Sequence, residues 1–130
     1  MKIVTDTSII IAVLTNEEHK DKIISLTENA DLVAPFSLKW EIGNAFSAMY
    51  KRGKITLSQA REALFYYNEI PITYIDIDLV SAIEIAFKYN IYAYDAYFII
   101  CSQSESAPLM TLDKQLLDIS KQAAIKVIEV

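Results

Sequence analysis

Four acidic residues of different local origin could do chemistry in this chain: Asp6, Glu41, Asp95 and Asp113. Asp6 ends the β-branched run Ile3-Val4, and Ser8 then leads into Ile9, Ile10 and Ile11, the pattern of a buried strand turning into a helix. A carboxylate at the carboxyl end of a strand in an open α/β sheet lies on the edge where ligands bind. Equally, Asp6 or Ser8 can simply cap the helix that follows. Glu41 is the informative member, because it falls beside Leu38 and Ala45 on the margin of an apolar stripe, away from the outer face of Lys39, Gly43 and Tyr50. Asp95 is embedded between Ile91-Tyr92-Ala93-Tyr94 and Ala96-Tyr97-Phe98-Ile99 with no basic residue nearby in sequence, and Asp113 precedes Leu116 and Leu117 at helical spacing. A carboxylate drawn into a core needs a basic partner, a proton or a metal. Helix capping accounts for Asp6, Asp95 and Asp113 one at a time, so both readings stand at this point.

Strand and helix patterns alternate around these positions. After a short helix from Ser8, residues 15–28 carry Ile23, Ile24 and Leu26 and read as an amphipathic surface helix, and residues 31–34 form a strand stopped by Pro35. A long helix is expected over about residues 37–52, with Leu38, Ile42, Ala45 and Met49 on one stripe and Gly53 placed to end it. Thr56 caps a helix running through Arg61 and Leu64 towards Tyr67, and residues 71–75 form a strand. Asp78 opens a helix that stops at Asn90, a residue that tolerates the left-handed conformation. A further helix starts near Asp95 and ends in the polar run 102–106, followed by a strand at 109–111, a helix at 113–124 and a last strand at 127–130. The alternation predicts an α/β fold: one domain over residues 1–130, with a central, mainly parallel sheet flanked by helices on both faces.

Composition narrows the function. The chain is 53% hydrophobic and 22% charged, enough apolar residues for a sizeable core and too few polar ones for a linker. Twelve Lys and Arg against seventeen Asp and Glu give a net charge of -5, the wrong sign for holding nucleic acid by bulk electrostatics, so a phosphate substrate requires a local cationic device. The single cysteine, Cys101, excludes an internal disulfide and a cysteine zinc site. The apolar run at 9–14 is too short for a membrane span and lacks a cleavage signature, so a cytoplasmic protein with no membrane contact is expected.

Four short motifs in order carry a resemblance: Asp6-Thr7-Ser8 after the first strand, Glu41-Ile42-Gly43-Asn44 in the long helix, Tyr94-Asp95-Ala96 at a helix start, and Thr111-Leu112-Asp113 after a late strand. Together they resemble the PIN-domain ribonucleases, and more narrowly the VapC toxins of toxin-antitoxin pairs, over essentially the whole chain. The resemblance implies a Mg2+- or Mn2+-dependent endoribonuclease acting on RNA and restrained by a protein antitoxin. It assigns the acidic roles to Asp6, Glu41, Asp95 and Asp113, and polar support to Ser8, Asn44 and Thr111. Asn90 departs from the glycine that many relatives place at that helix end, which affects the turn more than the chemistry.

The physical case runs beside the resemblance. Hard divalent cations prefer oxygen ligands, and Mg2+ keeps several waters while one or two carboxylates and a substrate phosphate complete its shell. Such an ion would reverse the sign problem, letting an acidic protein accept a phosphate for hydrolysis by metal-activated water to a 5'-phosphate and a 3'-hydroxyl. Rival chemistries lack their residues. His19 sits in the charged run 16–21, and Gly43 and Gly53 make no phosphate loop. Cys101 lies among apolar helix residues, and Ser8 stands where a haloacid-dehalogenase-type phosphatase needs an aspartate. A phosphoacceptor signalling domain would have to use Asp76 or Asp78 with Lys114, and a catalytically silent RNA- or protein-binding module is the remaining alternative. Tyr92, Tyr94 and Tyr97 read either as core or interface residues or as base-stacking ones. Lys51, Arg52, Lys54 and Arg61 read as RNA contacts or as a solvated helix end. Phe65, Tyr66, Tyr67 and Tyr50 supply more apolar surface than a monomer needs, so a homodimer is expected.

Overall fold

The computed structural model describes residues 1–130. Its five strands are Lys2–Thr5 (β1), Asp31–Pro35 (β2), Ile72–Ile75 (β3), Leu109–Met110 (β4) and Val127–Ile128 (β5). They form one sheet in the order β3-β2-β1-β4-β5, with every pair parallel. Parallel neighbours cannot be joined by a tight turn, so each connection is helical. Thr7–Leu14 (α1) and Lys20–Thr27 (α2) lead to β2, and Ser37–Lys51 (α3) and Leu57–Glu69 (α4) lead to β3. Leu79–Tyr89 (α5) and Ala93–Glu105 (α6) lead to β4, and Lys114–Gln122 (α7) leads to β5. This is the α/β architecture expected from the alternation.

Successive strand residues point to opposite faces, so Ile3 and Val4 enter different apolar clusters, as do Met110 and Leu109. One cluster takes Leu38 and Ile42 from α3, Tyr67 from α4 and Phe98 and Ile99 from α6; the other takes Ile9 and Ala12 from α1 and Ile23 from α2. Burial on both faces explains why the strands are runs of apolar residues and do not alternate with polar ones. The chain leaves β1 towards β2 on one side and leaves β4 towards β5 on the other. The order therefore reverses between the carboxyl ends of β1 and β4, which opens a crevice there.

Local signals held where a side chain or a left-handed residue sets the boundary. Thr56 and Gln59 form a reciprocal capping box at the start of α4, Asp78 caps α5 through the Ser81 N–H, Asn90 ends α5 at φ 53°, and Gly53 turns the chain after α3 at φ 69°. The surface helix expected over 15–28 is shorter. Thr15 returns both its N–H and its hydroxyl to the Ile11 carbonyl, Asn16 adopts φ 56°, and α2 begins only at Lys20. The helix expected from Asp95 begins at Ala93, and the last two strands are two residues each. Tyr67, expected at the surface, is buried, with its hydroxyl hydrogen-bonded to that of Tyr74. No helix is long and apolar enough to cross a membrane.

Candidate active site

Asp6 ends β1 and caps α1, and it is 4% exposed. Its Oδ1 accepts from the Ile9 N–H at 3.1 Å and from the Ser8 hydroxyl at 2.7 Å, while its Oδ2 accepts from the Thr111 hydroxyl. The same two hydroxyls hold the turn after β4: Ser8 Oγ accepts from the Leu112 N–H at 2.9 Å and Thr111 Oγ1 from the Asp113 N–H at 3.0 Å. Two loops distant in sequence are thus bonded across the crevice. Burial pushes the Asp6 carboxyl up to about 6, against the three hydrogen bonds that favour its charge, and Asp113 adds repulsion.

Glu41 enters from the second turn of α3, half-buried, with the Ser37 hydroxyl donating to its Oε2 at 3.2 Å. Burial pushes it up to about 7, offset in part by Ser37 and Thr7 and reinforced by the charges of Asp6 and Asp95. Thr7 Oγ1 is buried beside this group yet has no partner in hydrogen-bonding geometry. Asp95 is raised by burial and then by Asp113. Asp113 is more exposed and caps α7 through the Leu116 N–H at 3.1 Å. Asn44 is exposed, and its side chain makes no hydrogen bond to the cluster.

Asp6 and Asp113 are therefore caps as well as members of the cluster, whereas Asp95 is not a cap. It is the third residue of α6, the cap position belongs to Tyr92, and no hydrogen bond favours its ionised form. With the cluster free of metal, Asp95→Asn and Asp95→Ala are both expected to melt at or above wild type near neutral pH. A loss of about 1 kcal/mol or more confined to the alanine variant would restore the capping role.

None of the four carboxylates has a cationic partner, since the salt bridges join Lys2 to Glu105, His19 to Glu18 and Lys121 to Glu129. Oxygen donors without a cation suit a hard divalent ion. No three acidic, histidine or cysteine side chains come together so that they could hold one ion among them. The fit is therefore to an ion of the Mg2+ kind, held directly by one or two carboxylates and through water by the rest.

The residues set aside in the sequence stay outside the site. His19 pairs with the exposed Glu18, and Cys101 is core, its thiol pushed up to about 12 by burial. Lys51 ends α3 and Arg52 and Lys54 follow it, so the fifteen-residue helix carries these three about 22 Å from its start beside the crevice, whereas Arg61 lies on α4; all four are exposed. Thr7 and Ser37 were missed. Ser37 stands four residues before Glu41, a helical neighbour spacing that marks it in retrospect, whereas Thr7 gives no signal beyond its place next to Asp6.

A family model described as the PIN domain matches residues 3–122. No curated protein sequence matches the chain. Among solved structures, PAE2754 from Pyrobaculum aerophilum is similar at TM-score 0.74 and 22% identity, covering 100% of this chain and 92% of that one. VapBC2 from Rickettsia felis, bound to a DNA fragment from its promoter, is similar at 0.69 and 14%, covering 99% and 98%. VapC20 from Mycobacterium tuberculosis, a sarcin-ricin loop cleaving toxin, is similar at 0.64 and 10%, covering 95% of each chain. At these identities the likeness to the solved structures carries the fold.

Proposed function

Since the chain belongs to the PIN-domain family, we propose that it is a Mg2+- or Mn2+-dependent endoribonuclease and the toxin of a toxin-antitoxin pair. PIN domains are in general divalent-metal-dependent nucleases. The observation that carries the reading is the hydrogen-bonded junction of Asp6 with Ser8 and Thr111 at the reversal of the sheet, joined by Glu41 and Asp95 with no cation among them. The likeness to VapBC2 and VapC20 supports the toxin part, and a cytoplasmic location is part of the same reading.

Asp6, Glu41, Asp95 and Asp113 would hold the ion, which when bound supplies Lewis acidity at the phosphate and lowers the pKa of water. The chain's own contribution is orientation and proton handling. Ser8, Thr111 and the Ile9 N–H fix both oxygens of Asp6, so that carboxylate is oriented before the ion arrives. Ser37 engages Oε2 of Glu41 and leaves Oε1 to take a proton from the attacking water. Burial pushes that carboxyl up to about 7 when no ion is present, and a bound cation would bring it down, so Glu41 would be ionised and able to accept a proton at neutral pH. Asn44, exposed three residues beyond Glu41, takes no part in these hydrogen bonds.

The test is cleavage of single-stranded RNA and tRNA with Mg2+ or Mn2+, repeated with chelator. Cutting should require the ion and leave 5'-phosphates. Cleavage that persists in chelator overturns the mechanism, and no cleavage with either ion favours the catalytically silent module.

The partners follow from the same surfaces. A carboxylate cluster without its ion attracts an arginine, whose planar fork can bridge two acids, so the antitoxin should present one there. Tyr50, Phe65 and Tyr66 are exposed as expected, and α5 adds Val80, Ile83 and Phe87. We therefore propose a two-fold dimer, and light scattering should show it at about micromolar concentration. A strict monomer sinks that claim. An adjacent gene product that neither binds nor inhibits sinks the toxin assignment and leaves the nuclease.

A further inference from the structure

A second concavity adjoins the acidic site. It lies at the carboxyl ends of β2 and β3, has a volume of about 410 Å3, and is walled by Phe36, Ser37, Asp76, Ile77, Leu79 and Tyr97. We propose that it receives one unstacked base of the RNA, that of a nucleotide flanking the scissile phosphate, and so sets the sequence preference of cleavage. This rests on the nuclease reading above.

Position comes first. Ser37 is shared: it lines the cavity and donates to Glu41 at 3.2 Å. Tyr97 lies on the second turn of α6, two residues beyond Asp95. A nucleotide whose phosphate lies at the carboxylates therefore has its own base, or its neighbour's, within reach of this cavity. The volume suits a small ring system and is too small for a folded segment.

Chemistry selects a base over a phosphate. No lysine, arginine or histidine lines the cavity, so nothing there would hold an anion. Phe36 stacks on Tyr74, with centroids 5.7 Å apart and planes 25° apart, and is still 53% exposed, which makes it an anchored ring with surface to spare. Base-on-aromatic stacking is the usual way unpaired nucleotides are held. Asp76 supplies the polar edge. Its Oδ1 accepts only from the Ile77 N–H at 3.1 Å, and it has no cationic partner, so Oδ2 is available to an exocyclic or ring N–H of a base. The cation nearby belongs to the stack itself: Lys39 Nζ lies 5.6 Å from the Tyr74 ring centroid and is exposed, available to a flanking phosphate. Ring, acceptor and cation in that order match a nucleotide better than a peptide side chain.

The experiment uses the whole protein with Mn2+ and a single-stranded RNA whose cut position has been mapped from the product ends. Abasic nucleotides replace the residues on either side of the cut, one at a time, and wild type is compared with Phe36→Ala, Phe36→Leu and Asp76→Asn. In wild type, one abasic position should lower kcat/KM by about 10-fold. Phe36→Ala should lose about as much on intact RNA, more in KM than in kcat, and lose little further on the abasic RNA, because both changes remove the same contact. Phe36→Leu keeps apolar packing on Tyr74 without the ring, so a similar loss in that variant shows that stacking and not folding is responsible. Asp76→Asn should change which base is preferred at that position. Abasic and Phe36 effects that multiply independently overturn the proposal, as does the absence of any abasic effect in wild type. Variants that cut normally but no longer bind the antitoxin also overturn it, since the cavity then takes a partner side chain. If wild type cuts no RNA at all, the nuclease reading has failed, and this proposal fails with it.

Discussion

In chelator, the protein is expected to lose stability steadily as the pH rises from about 4.5 to about 7.5, and to recover much of that loss when Mg2+ or Mn2+ is added. The sign follows from the direction of the shifts. Asp6 is pushed up to about 6 and Glu41 to about 7, in each case first by burial, and Asp95 is raised by burial and by Asp113. In the unfolded chain these groups titrate near 4, so between about pH 4 and pH 7 the folded state binds more protons than the unfolded one. Stability is then highest when the cluster is protonated and falls as it ionises. For Asp6, a shift of about two units at roughly 1.4 kcal/mol each makes the loss on the order of 3 kcal/mol. Glu41 adds less than its shift suggests, because it is only half-buried and water screens it. Asp78 and Glu129 are shifted the other way, but they titrate below this window and do not offset the slope. An ion at about 100 times its dissociation constant returns close to 3 kcal/mol. Thermal melts across the range, with chelator and with Mn2+, measure both effects. A stability that is flat or rises with pH in chelator would mean the carboxylates do not share a desolvated site.

The sequence carried the fold and the candidate residues more clearly than the geometry that joins them. Strand and helix order was legible because each boundary had a local cause: Asp78, Thr56 and Asn90 act through their own side chains or backbone within a few residues. The start of α2 was not, because Thr15 bonds backwards to Ile11 and Asn16 turns left-handed in a stretch whose pattern also suits a helix. Tyr67 was misplaced for a similar reason, since only the tertiary meeting of α4 with β3 decides which of three adjacent aromatics turns inward. Within the site, Glu41 could be singled out because a charge on the margin of an apolar stripe is costly wherever the helix packs. The pairing of Thr111 with Asp6 spans more than a hundred residues, and no periodicity encodes it. The orphaned hydroxyl of Thr7 becomes visible only once the neighbouring groups are in place.

Asp6→Asn is expected to cut RNA more than about 100-fold more slowly and, in chelator near pH 8, to melt above wild type. The two effects have one cause. An amide coordinates a divalent cation poorly and brings no charge, so the variant loses more than the 10- to 100-fold typical of groups that merely support a metal ligand. Stability moves the other way because the network can accept the amide. With the amide oxygen in the place of Oδ1, the bonds from the Ile9 N–H and the Ser8 hydroxyl are kept. The amide nitrogen then faces Thr111 Oγ1, which has a second lone pair beside the one used by the Asp113 N–H. Thr111 can turn its own hydrogen towards Ser8 Oγ, 3.5 Å away, so that hydroxyl and one amide hydrogen both find acceptors; the second amide hydrogen finds none in this network, a cost smaller than that of the buried charge it replaces. Thr111→Val makes the complementary case. It removes the donor to Asp6 Oδ2 and the acceptor of the Asp113 N–H together, so about 1 to 3 kcal/mol of stability should be lost along with roughly 10- to 100-fold in activity. A site that stores repulsion for the sake of a cation must show this opposition, in which losing the charge stabilises and losing its support destabilises, while both slow the chemistry. If Asp6 were only a helix cap, the asparagine variant would be as active as wild type, since asparagine caps equally well.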